Sequence, residues 1–64
     1  MITITSAHDG RKYAVSGSAV KKIVEAGANW NGIRCYVKLD DGTTIEASET
    51  LGEIVGMIEK ESSQ

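Results

Sequence analysis

Few side chains in these 64 residues could carry chemistry, and their spacing sorts them quickly. His8, the only histidine, stands beside Asp9 in a polar stretch. Acid–base catalysis there would need a nucleophile and an orienting group, and a bound metal would need two or three further ligands. The sequence supplies neither, so His8 reads as an exposed turn residue. Cys35, the only cysteine, falls on the apolar face of a strand pattern, where a thiol acts as a small hydrophobe. Nothing around it in the sequence lowers its pKa toward a nucleophile's. Asp40 and Asp41 lack the ligand spacing of a calcium loop and read as a solvated turn. No GxxxxGK or GxGxxG phosphate-binding pattern occurs. The expectation is therefore a non-enzyme, with no catalytic, cofactor-binding or metal-ligating residue, no cofactor and no small-molecule substrate.

Two features point instead to a surface. Trp30 sits between Asn29 and Asn31, in a loop with no strand pattern to bury it. Tryptophan is enriched among interface anchors, and the competing reading is a lid folded back on the core. Arg34, Tyr36 and Lys38 alternate with apolar residues, which puts an aromatic between two cations on one strand face. Such a stripe can meet a protein partner. It can also stack bases while its cations meet phosphates, although the acidic total disfavours tight nucleic-acid binding. Packing of Tyr36 beneath another element is the structural alternative. Trp30, Arg34, Tyr36 and Lys38 are the partner-binding candidates.

The elements that must position these residues follow from hydrophobic periodicity. Ile2 and Ile4 alternate with Thr3 and Thr5, a β-branched strand signal, and Asp9-Gly10 turns the chain into a return strand over 11–15 with Tyr13 and Val15 on one face. Residues 18–26 fit a helix or a strand. One helical turn near 18–21 followed by a strand over 22–26 is favoured, because the turn-rich segment 27–32 suits a hairpin. Ile33, Cys35, Val37 and Leu39 give the clearest strand, and Asp40-Asp41-Gly42 returns it through 43–47 with Ile45 inward. Thr50-Leu51-Gly52-Glu53 has capping-box spacing, and Leu51, Ile54, Val55 and Ile58 form a helical stripe behind it. Gly52 and Gly56 weaken that helix, and their spacing reads as close packing of the helix on the sheet. The expected inward set is Ile2, Ile4, Val15, Ile23, Ile33, Cys35, Val37, Leu39, Ile45, Leu51, Ile54, Val55 and Ile58.

Length and composition bound the rest. Sixty-four residues with 41% hydrophobic content make one small domain, expected over 1–60 with a frayed tail at 61–64. No apolar run reaches the roughly 20 residues of a membrane span, and no secretory signature opens the chain, so a cytoplasmic protein without membrane contact is expected. One cysteine excludes an internal disulfide framework. The net charge of -2 hides an asymmetry: residues 1–39 carry six cations against two carboxylates, and residues 40–64 carry seven carboxylates against one cation. That split marks a basic binding face, self-complementary association, or simple solvation. A thin core, open sheet edges and the absence of proline favour self-association.

The pattern resembles the small FlbD-like family of bacterial flagellar gene clusters over nearly the whole chain. The resemblance rests on Ile2-Thr3-Ile4-Thr5, Asp9-Gly10, the polar turn at 16–18 with Val20 and Ile23, Val37-Lys38-Leu39-Asp40-Asp41-Gly42, and Ile45 with Glu49. It implies a short β-rich domain closed by one helix, with a regulatory or partner-binding role and no catalysis. The sequence departs from the pattern in its longer loop at 27–32 and in lacking Asn-Pro at 16–18. A phage or prophage origin is equally compatible.

Taken together, the expectation is an α+β domain: a small bent antiparallel sheet of about five short strands closed by one C-terminal helix. Its expected function is a non-enzymatic protein-interaction module, a self-associating regulatory or accessory protein of bacterial or phage origin, with the homodimer as one candidate complex. The alternatives are a nucleic-acid-binding module using the basic sheet face, and a small acidic phage inhibitor displaying Asp40, Asp41, Glu46 and Glu53 together.

Overall fold

A computed structural model describes residues 1–28 and 30–62. The element order is β1 (Ile2–Thr5), β2 (Lys12–Val15), a 3-10 turn (Gly17–Ala19), β3 (Val20–Glu25), β4 (Cys35–Leu39), β5 (Thr44–Ala47) and α1 (Leu51–Ser62). The fold is α+β, and the ambiguous segment resolves as a short 3-10 turn followed by a strand. The five strands divide into an antiparallel hairpin β1-β2 and an antiparallel sheet β3-β4-β5.

Turn chemistry sets both hairpins. In the first, Ser6 N–H donates to Arg11 O (2.7 Å) and Gly10 N–H to Ser6 O (3.0 Å), with Gly10 at φ 74°. The Asp9 carboxylate accepts from Arg11 N–H at 3.0 Å. In the second, Leu39 N–H donates to Thr43 O (2.8 Å) around the three-residue loop 40–42, and Gly42 at φ 92° supplies the left-handed residue that such loops require. Asp41 Oδ1 accepts from Thr43 N–H at 2.8 Å and fixes the turn.

The two sheets join where β1 runs on past Thr5. Ser6 bridges Ala47, Ala7 N–H donates to Glu46 O (2.8 Å), and Ser48 N–H donates to Thr5 O (2.9 Å). The sheet thus bends sharply through the spatial order β2-β1-β5-β4-β3. The Glu49 carboxylate accepts from Thr5 N–H at 2.8 Å, so a side chain completes the ladder where the backbones diverge. Small residues stand at the crossing, and both Ser6 and Ala47 are buried.

The core gathers Ile2, Ile4, Cys35, Val37, Ile45, Ala47 and Ile54, with Val15, Val20, Ile23, Leu39, Met57 and Ile58 packed at its margin. Val55 is a correction: it was expected inward and stands 38% exposed. Ile54 takes the centre of the helix stripe, and one residue on, about 100° around the axis, Val55 turns to the flank while Met57 packs on the core. Gly52 and Gly56 are a second correction. Both are exposed, and a Cβ on either would touch nothing within 4 Å, so neither mediates close packing.

The capping box forms as its spacing predicts. Glu53 N–H donates to Thr50 Oγ1 (3.2 Å), and Thr50 N–H donates to Glu53 Oε1 (3.0 Å). Glu61, expected in the frayed tail, is helical. Its Oε1 accepts from Gly17 N–H at 2.8 Å, and its Oε2 lies 2.6 Å from the Met1 ammonium. Residues 63 and 64 of that expected tail lie outside the described residues.

Candidate functional site

Sheet register determines which residues share a face. Across β3-β4-β5, Ile23, Val37 and Ile45 make one row, and Val24, Tyr36 and Glu46 make the next. Opposed residues point the same way, so the first row faces the core and the second faces away from it. Lys22, Lys38 and Thr44 form a further outward row. The outer face of the sheet therefore presents Tyr36, 36% exposed, beside Val24, 44% exposed, with two lysines adjoining them. The helix packs on the opposite side, and no described element covers this face.

Lys22 and Lys38 stand directly opposite one another. Like charges in that relation are destabilising, and an anion laid across them relieves the repulsion. Glu46 is on the same face, but its carboxylate is engaged by His8 Nε2.

The structure places the four partner-binding candidates unequally. Tyr36 and Lys38 share the outer face. Arg34 begins the same alternation, yet it borders a cavity of about 330 Å³ with Thr50 and Leu51, and its charge helps lower the pKa of Glu53. The larger causes of that lowering are the two hydrogen bonds from Thr50. Trp30 lies in the loop between β3 and β4 and is 98% exposed, so it does not fold back as a lid. Its neighbour Asn29 is outside the described residues. Lys22 and Val24 belong to the same face and were missed: the strand over 22–26 was expected, but the register that sets its outward residues beside Tyr36 and Lys38 is not written in either segment alone. The signal was the alternation of Lys22, Val24 and Ala26.

Other groups considered for chemistry are occupied. Cys35 is fully buried, and its thiol donates to Glu49 O at 3.3 Å. Burial, reinforced by the charges of Glu49 and Glu25, pushes its pKa above the ordinary value of 9.0. That environment holds a thiol, not a thiolate. Among the described residues, no three His, Cys, Asp or Glu side chains gather as a metal would require. Of the carboxylates Asp40, Asp41, Glu46 and Glu53, Asp41 and Glu46 border one cavity, and three of the four have local partners. Asp41 is tied to its turn, Glu46 to His8, and Glu53 to the helix cap beyond the far end of β4. Among the described residues, no helix is long and apolar enough to cross a membrane.

The outer face offers a two-residue apolar patch beside a pair of lysines, with an exposed indole in the loop at the Arg34 end. No protein-family model, curated protein or solved structure matches this chain.

Proposed function

We propose that the chain is a non-enzymatic protein-interaction module, self-associating and regulatory or accessory in role, that receives an acidic protein surface on the outer face of β3-β4-β5. The observation that carries this reading is the Val24–Tyr36 pair left open to solvent beside the opposed Lys22 and Lys38. Exposed aromatic and apolar area beside cations is a common composition for a contact patch, and the opposed lysines favour a negatively charged occupant. Trp30, at the Arg34 end of the face, extends the surface. The regulatory or partner-binding role implied by the FlbD-like resemblance agrees with it.

The experiment is affinity capture from a native lysate with wild type, Tyr36→Ala, Trp30→Ala and Lys38→Glu in parallel. A partner retained by wild type and lost from Tyr36→Ala and Lys38→Glu supports the reading. Equal recovery on all four overturns it. The same face, with a stacking ring between cations, also suits single-stranded nucleic acid, and a labelled oligonucleotide decides that second reading. Binding that weakens steeply with salt and with Tyr36→Ala would favour it over a protein partner.

A further inference from the structure

The outer edge of β3 is the best-prepared unpaired surface in the molecule. Ala26 N–H donates to Arg34 O at 3.0 Å, in register with the β3-β4 ladder. Antiparallel strands alternate their bonding direction, so Val24 and Lys22 also direct their backbone groups toward β4. Ile23 and Glu25 direct theirs away, toward an edge with which no described strand pairs, and Lys21 is the extra residue of the bulge between Val20 and Lys22. Exposed apolar side chains stand on both sides of that edge. Val24 is 44% exposed on the outer face. On the inner side Val55 is 38% exposed, on the α1 flank it shares with Leu51 and Ile58. That flank lies beside β3: Leu51 borders the same cavity as Glu25 and Ala26, and Ile58 would lie 3.6 Å from a Cβ placed on Gly17.

We infer that a second copy of this chain pairs with the β3 edge, antiparallel and two-fold symmetric, with Ile23 opposite the partner's Ile23 and Lys21 opposite the partner's Glu25. The inference rests on the self-association part of the proposed function and names its surface. The segment Val20-Lys21-Lys22-Ile23-Val24-Glu25 is self-complementary in this register. Lys21 and Glu25 meet twice by symmetry, and both are exposed. Lys22 falls beside the partner's Val24, and the outward backbone groups of Ile23 meet those of the partner's Ile23 at the two-fold axis.

Neighbouring registers fail. A slip of one residue sets outward backbone groups against inward ones. A slip of two residues one way sets Lys22 opposite the partner's Lys22 in the closest kind of pair. Two residues the other way, Lys21 loses its carboxylate and meets the partner's Gly27. Edge lysines and the bulge between Val20 and Lys22 are devices that discourage indiscriminate strand addition. Here they leave one register with its charges matched. Paired residues share a face, so the two outer faces merge into one six-stranded platform, and the Val55 flanks of the two helices turn toward each other.

Sedimentation equilibrium or size exclusion with light scattering, over a concentration series, tests this with exposed charge variants. Wild type is expected to dimerise. Lys21→Glu and Glu25→Lys alone each oppose like charges twice, raising the dissociation constant roughly tenfold to hundredfold. An equimolar mixture of the two variants restores a 1:1 dimer, as does the double variant K21E/E25K. Circular dichroism verifies that each single variant is folded. A wild type that stays monomeric removes self-association altogether. A wild-type dimer indifferent to the single variants, or a mixture that stays monomeric, overturns this register while self-association through another surface stands. Loss of the lysate partner from Tyr36→Ala is a separate readout.

Discussion

Replacing Gly56 with alanine should stabilise the protein by about 1 kcal/mol, the difference between the two residues in a helix interior. Gly56 lies in the middle of α1, two residues and about 200° around the axis from the fully buried Ile54, so it faces solvent. An added Cβ finds nothing within 4 Å, and no clash offsets the reduced entropy of the unfolded chain. For a domain of this size, about 1 kcal/mol corresponds to a Tm increase of roughly 4–8 °C. Thermal unfolding followed by far-ultraviolet circular dichroism reads the shift directly. Gly17→Ala is the internal control of opposite sign. A Cβ there comes 2.8 Å from Glu61 Oε1, so the carboxylate must swing away and release Gly17 N–H. If Gly56→Ala proves neutral or destabilising at low protein concentration, the outer face of α1 is not open and the helix packs differently from this description.

Thr50→Ala removes the acceptor for Glu53 N–H and should cost about 1 kcal/mol, measured by urea unfolding; no loss would mean that the cap is replaced by water. Lys38→Glu places opposite charges across β3-β4 and should raise stability by about 0.2–1 kcal/mol while weakening partner capture, and a drop in stability would contradict the register that opposes Lys22 and Lys38. Acid should destabilise the fold. The carboxyls of Glu61, Glu53, Asp41 and Asp9 all have pKa values below their ordinary 4.5 and 3.8, held down chiefly by the Met1 ammonium for Glu61 and by backbone N–H donors for the others. Lowered folded values mean that their contribution is complete above the ordinary carboxylate range and disappears as pH falls through the folded values. Urea unfolding from neutral pH down to about pH 2 should show a plateau and then a decline, beginning in the ordinary carboxylate range, that is shallower in Glu61→Gln, and a flat profile would refute the linkage.

Local signals that depend on only a few adjacent residues were legible in the sequence. The loop at 40–42, with glycine in the left-handed position, and the Thr50–Glu53 box both appear where their spacing puts them, because turn and cap chemistry is decided within three or four residues. The outer face was half legible. Tyr36 and Lys38 followed from alternation along β4, whereas Lys22 and Val24, though in the favoured strand over 22–26, joined that face only through the β3-β4 register, which no local pattern states. Val55 failed for a related reason: an apolar stripe states which residues are near one another, not which of its flanks the sheet occupies. The bend at Ser6 and Ala47 had no local signal, since small residues matter there only when two distant segments cross.

Glu49 accepts from Thr5 and Glu61 from Gly17, each pair 44 residues apart, while the Ser6–Ala47 bridge spans almost the same distance. These contacts form only after wide loops have closed, and loop closure is entropically unfavourable before any of them exists. The last helix, short and weakened by two glycines, has little reason to persist until they do. Assembly should accordingly be abrupt and concerted, slow for a protein so small, with neither half of the chain holding its shape alone.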